Sequence, residues 1–135
     1  PTEAEWEYAA RGEQYHKYAG SNNLNEVAWH FGNSQNKAQI VGQKQPNGFG
    51  LYDISGNVNE WCWDWYEEGY HNAPLKDPKG PTTGQKRVFR GGCWRGDSSY
   101  NRLSFRDFGL PSIKHLSVGI RLCRTLSESN QAESS

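Results

Sequence analysis

Trp61, Trp63 and Trp65 recur at every second residue, and Asn59 continues the row. A period of two predicts an extended strand over 58–65, with these four on one side and Val58, Glu60, Cys62 and Asp64 on the other. Three indoles on one face make a large apolar surface, and the expectation is that this face is core. The chain has little else to build a core from. Only 34% of its 135 residues are hydrophobic, while 13% are aromatic, with six Trp and seven Tyr. Fifteen Gly and six Pro add many turns, so the fold is expected to be loop-rich.

The clearest local signal is a helix over 2–11. Thr2 and Glu5 have capping-box spacing, Ala4, Tyr8 and Ala9 make one face, and Gly12 is placed to end the helix. Residues 13–48 read mostly as loop, with a turn at 43–48. Residues 66–86 are a polar loop. Arg87–Arg90 is a short strand running into Gly91-Gly92, and Leu116–Leu122 reads as the last strand. From Thr125 on, Ser, Glu, Asn and Gln leave nothing to bury, which predicts a disordered tail over 125–135. One helix, several short strands and long loops give an α+β class, with one domain in this length.

Fifteen basic and fifteen acidic side chains cancel, so no bulk charge directs the chain to nucleic acid or membrane. No apolar run approaches the roughly 18 residues of a membrane span. Pro1 is not a natural start and the first residues already open a helix, so a segment upstream is expected. Cys62, Cys93 and Cys123 are too few for a disulfide framework. One bridge is possible, but three small buried hydrophobes is the expected reading. His16, His30, His71 and His115 have no metal-ligand spacing. Arg95-Gly96-Asp97 spells a short adhesion tripeptide that arises often by chance.

Five stretches in order resemble one family: PTEAEWEYAARG (1–12), NGFGLYDISGNVNEWCWDWY (47–66), RVFRGGCW (87–94), RLSFRDFGLP (102–111) and VGIRLCR (118–124). They are similar to the formylglycine-generating enzymes, the sulfatase-modifying-factor family. The resemblance implies a C-type lectin-like fold, with residues 1–124 as the C-terminal portion of the domain and an N-terminal half elsewhere. The active enzymes bind copper between two cysteines that follow the Gly-Gly motif. By motif register Gly96 lies near the first of those positions and Asn101 near the second, on a loop shorter than in the enzymes, and Cys93 stands where Ser is usual. Neither Gly nor Asn supplies the soft sulfur that Cu(I) requires, so no copper and no catalytic residue is expected. The resemblance also implies a calcium loop at Asp53-Ile54-Ser55-Gly56-Asn57-Val58-Asn59-Glu60. Its ligands would be the side chains of Asp53 and Glu60 and the carbonyls of Gly56 and Val58, all hard oxygens suited to that ion.

Residues 94–117 carry a different signal. Trp94, Arg95, Asp97, Ser99, Tyr100, Asn101, Phe105, Asp107, Phe108, Leu110 and His115 mix large aromatics with charges and show no helical or strand period. Such a mixture suits a binding surface better than a core. The segment resembles the diversified surface of retroelement variable proteins of the treponemal type. There, randomising the first two bases of Asn codons cannot yield Glu, Gln, Lys, Met or Trp. Between Arg95 and Ser117 this chain has no Glu, Gln, Met or Trp, and one Lys, Lys114. The reading is a non-catalytic domain at a cell surface that binds a protein or glycan through 94–117. The competing reading is an oxidoreductase of the wider family acting on thiols.

Overall fold

The computed structural model describes residues 1–69 and 76–126. His71 and the tail from 127 onwards lie outside the described residues. The helix α1 (Glu3–Arg11) is capped as expected: Thr2 Oγ1 accepts the Glu5 amide, Glu5 returns to the Thr2 amide, and Gly12 closes the end. Asn47 completes that end from a distant loop. Its side-chain amide donates to the carbonyls of Ala9 and Ala10, which a helix terminus leaves without partners. The buried face of α1 is not Ala4, Tyr8 and Ala9. It is Glu3, Trp6 and Ala10, and Tyr8 is 64% exposed. Charge decides this, because Glu3 has cationic partners inside the fold.

A second short helix, α2 (Leu24–Val27), interrupts the region read as loop and is capped by Asn23. It anchors a small cluster of Tyr18, Leu24, Val27 and Ala28. Among the described residues four strands then form one sheet in the order β3-β2-β1-β4: β1 (Asn59–Trp65), β2 (Arg87–Arg90), β3 (Arg106–Gly109) and β4 (Val118–Gly119). β2 runs antiparallel to both β1 and β3, and β4 runs parallel to β1. β3 was not foreseen, and the predicted last strand contracts to the two residues that pair with Asn59 and Glu60.

The period of β1 is as predicted, but its faces are reversed. Cys62 is in the main core with Trp6, Ala10, Ala19, Ile54, Val88 and Leu103. Trp63 is 65% exposed, and Trp61 and Trp65 are half-buried. The face toward α1 carries acids, and each is satisfied there. Glu60 accepts from Trp6 Nε1 at 2.9 Å, and Asp64 accepts the Glu3 amide at 2.7 Å. On the outer face the indoles serve a cation and a ring instead. The Arg87 guanidinium lies 3.6 Å from the Trp65 ring centroid and 5.1 Å from that of Trp63. Phe89 meets Trp61 edge-on at 5.1 Å.

All three cysteines are free, with Cys62 and Cys93 buried and Cys123 exposed, so the expectation of three buried thiols fails at Cys123. Among the described residues no helix is long and apolar enough to cross a membrane.

Candidate functional site

The loop 53–57 sets the geometry of the site. Its Gly56 amide donates to Gly91 O at 2.7 Å, and Asn57 O accepts the Trp94 amide at 2.8 Å. These bonds hold the corner at which β2 ends and the segment 93–105 begins. From the other side, Ser34 Oγ donates to Trp94 O at 2.6 Å and the Phe31 amide donates to Gly96 O at 2.9 Å. The start of the variable-looking segment is therefore fixed by bonds to its main chain that do not depend on its own side chains.

Sheet register places the next layer. Trp61, Phe89 and Asp107 form a row across β1, β2 and β3 on the outer face. Beside that row is a cleft of about 390 Å³, lined by Arg95, Tyr100, Asp107, His115, Cys93 and Ile113 among others. Four of the eleven expected contact residues thus meet around one concavity. Burial raises the Asp107 carboxyl above the usual carboxylate range, against the Phe108 amide bond that lowers it. His115 Nδ1 accepts the Ser117 amide at 3.1 Å and lies 2.7 Å from the Ser117 hydroxyl, which fixes the ring at the rim.

The other seven are dispersed. Trp94 is half-buried and donates from Nε1 to Leu116 O at 3.2 Å. Phe105 packs edge-on against Tyr100 at 5.1 Å. Asp97 is exposed and accepts both the amide and the hydroxyl of Ser99, which hold its carboxyl below the ordinary range. Ser99 lines a different concavity. Phe108 lies against Tyr66 at 4.3 Å, and Leu110 is exposed away from the cleft lining. Asn101 is a correction: it is fully buried, and its amide donates to Gly96 O at 3.1 Å and Asp97 O at 2.7 Å. A side chain that ties its own loop shut from inside cannot contact a ligand. The sequence reading missed Asn59, Cys93, Ile113 and Val118 as cleft residues. The period-two row through Asn59 was the available signal for the first of these.

The expected calcium residues divide in two. Asp53 Oδ2 accepts the Gly42 amide at 2.8 Å, while Oδ1 is buried with no hydrogen-bond partner. A buried carboxylate oxygen of that kind suits a hard cation. Glu60 is engaged: Arg121 Nε lies 3.0 Å from both its oxygens, beside the Trp6 bond. Burial raises the Glu60 carboxyl, and Arg121 opposes that shift. No cluster of three or more His, Cys, Asp or Glu suited to a metal exists among the described residues, so two main-chain carbonyls would have to complete the set.

Comparison with known proteins gives this architecture a family. The sulfatase-modifying factor enzyme 1-like domain matches residues 1–126. The chain belongs to that family. Among curated members, the formylglycine-generating enzyme of Streptomyces coelicolor is 36% identical over 140 residues, covering 90% of this chain and 45% of the enzyme. A protein named chaperone protein LppX from Paenibacillus barcinonensis is 39% identical over 114 residues, 70% of this chain and 37% of its own length. Among solved structures, Treponema denticola variable protein 1 is 42% identical with a TM-score of 0.84, over 89% of this chain and 45% of that one. The chain thus spans less than half the length of these relatives. It has the sulfatase-modifying-factor, C-type lectin-like fold and resembles both the enzymes and a variable protein built on that fold.

Proposed function

We propose that this chain is a non-catalytic ligand-binding module that presents the cleft around Arg95, Tyr100, Asp107 and His115. Asn101 carries the reading. Near one of the two positions that motif register gives to the enzymes' catalytic cysteines, this chain has a buried amide bonded to the carbonyl of Gly96, which lies near the other. A structural hydrogen bond thus joins the two residues that stand nearest the enzymes' thiol positions. The remaining thiols do not replace them. Burial pushes the Cys62 thiol up to about 12, and it stands in the core beneath the sheet. Cys93 is buried at the cleft and Cys123 is exposed elsewhere.

The test has two arms. Incubated with Cu(I) and a cysteine-containing peptide, the full chain is expected to produce no formylglycine by mass spectrometry. Screened against glycans and extracellular protein domains, it is expected to bind a ligand that Arg95→Ala and Tyr100→Ala each weaken by about tenfold or more, the effect of losing one interface anchor. Copper-dependent conversion of the peptide cysteine would overturn the reading in favour of an oxidase acting on thiols.

Calcium belongs to the same proposal as a support for the cleft corner. Asp53, with the carbonyls of Gly56 and Val58 and a share of Glu60, would hold the ion. At a concentration about a hundred times its dissociation constant, calcium is expected to add about 2.7 kcal/mol to stability. Thermal melts with calcium or chelator measure this. The gain should vanish in Asp53→Asn; an equal gain in that variant sinks the assignment.

A further inference from the structure

A second concavity of about 460 Å³ lies where the loop after α1 meets residues 98–104. Its wall carries Arg11, His16, Lys17 and Arg102, with the hydroxyls of Ser98 and Ser104. No carboxylate lines it among the described residues. In a chain whose acidic and basic residues balance at fifteen each, that is a local excess of positive charge. The three cations, Arg11, Lys17 and Arg102, differ in availability. Arg11 is shared with Glu7, 2.7 Å away on the same helix. Among the described residues Arg102 donates only to Ser99 O, at 3.3 Å, and neither it nor Lys17 has a carboxylate partner. His16 Nδ1 is buried with no hydrogen-bond partner. The Leu103 amide donates to Lys17 O at 2.8 Å, so the two sides of the concavity are tied together.

We propose that this concavity binds a tetrahedral oxyanion, a sulfate or phosphate group, carried as an ester on a sugar-sized ligand. Cations and hydroxyls converge on it from two segments, and every one of them can donate. A group with three terminal oxygens and no donors of its own matches that set better than a two-oxygen carboxylate. The volume exceeds what a free anion fills, which leaves room for the group that carries it. Ser99, expected at the binding surface, belongs to this site rather than to the cleft of Arg95.

Calorimetric titration of the full chain with glucosamine 6-sulfate, glucose 6-phosphate, inorganic sulfate and inorganic phosphate tests the assignment. Saturable binding that weakens with added salt is expected, at least about tenfold poorer in Lys17→Gln and in Arg102→Gln, as for loss of a charged hydrogen bond. Tighter binding of an ester than of its free ion supports the proposal as stated. Equal binding of ester and ion overturns the ester part. No saturable binding of any probe, or unchanged binding in both variants, overturns the site. Lys17 is exposed and makes no side-chain hydrogen bond among the described residues, so Lys17→Gln decides the matter if Arg102→Gln fails to fold. Arg95→Gln should leave these titrations unchanged, which separates this site from the cleft.

Discussion

Glu3→Ala is expected to lower stability by about 3–5 kcal/mol, the usual loss when one member of a buried ion pair is removed. Glu3 is 1% exposed and is held by two arginines. Arg90 Nη1 lies 2.8 Å from Oε2, and Arg106 reaches both oxygens, at 2.6 and 2.8 Å. Arg90 is itself 1% exposed and spends its second terminal nitrogen, Nη2, on Glu7 and on Leu103 O. Without Glu3, two guanidiniums remain with too little negative charge in a site shielded from water. In melting temperature the loss is on the order of 10–20 °C for a domain of this size. Arg90→Lys should fall part of the way, because an ammonium cannot span Glu3, Glu7 and Leu103 as the planar fork does. Chemical denaturation of Glu3→Leu, of Arg90→Met and of the double variant that combines them separates a net contribution from a mere penalty for unpairing. If the double variant loses as much as both singles added together, the pair is not coupled and the account fails. The effect should also reach the cleft. Arg106 opens β3, and the next residue, Asp107, lines the concavity.

This network shows which parts of the molecule were legible beforehand. The cap of α1 depends on Thr2 and Glu5, three residues apart, and came out as read. Alternation in β1 was equally legible, because a period of two is a property of the strand alone. Which face turns inward is not such a property. It depended on Trp6 and Arg121 meeting Glu60, and on the Glu3 amide meeting Asp64, across separations of 54 to 61 residues. β3 was hidden for a related reason. Arg106-Asp107-Phe108-Gly109 has no apolar alternation, and only its ladder to β2 makes it a strand. At the candidate site, composition marked the 94–117 segment but could not sort it by depth. Arg95 and Asn101 look alike as polar loop residues, yet one is open to solvent and the other has none. The basic concavity was not legible at all, since Lys17 and Arg102 are brought together by the fold alone.

Gly92→Ala is the second substitution with a large expected effect, and it tests how the cleft is carried. Gly92 has φ +73°, where a side chain is strained, and a Cβ there would be 2.5 Å from Asn101 Oδ1 and 2.6 Å from Tyr100 O. The second contact is backbone, so no rotamer change relieves it, and the loop from 96 to 101 has to move. Strain and overpacking together cost on the order of 2–4 kcal/mol. Gly42 supplies the control, with φ +79° and nothing within 4 Å of an added Cβ. Gly42→Ala should show the conformational cost alone, about 1 kcal/mol. The difference between the two variants in denaturant midpoint then isolates the contact between Gly92 and the loop. Because Tyr100 sits on the displaced segment and lines the cleft, Gly92→Ala should also weaken any cleft ligand, while Gly42→Ala should not. Equal losses in the two variants would mean that the loop does not rest on Gly92. The buried Asn101 would then be an accident of packing, and no longer the anchor that holds residues 96–101.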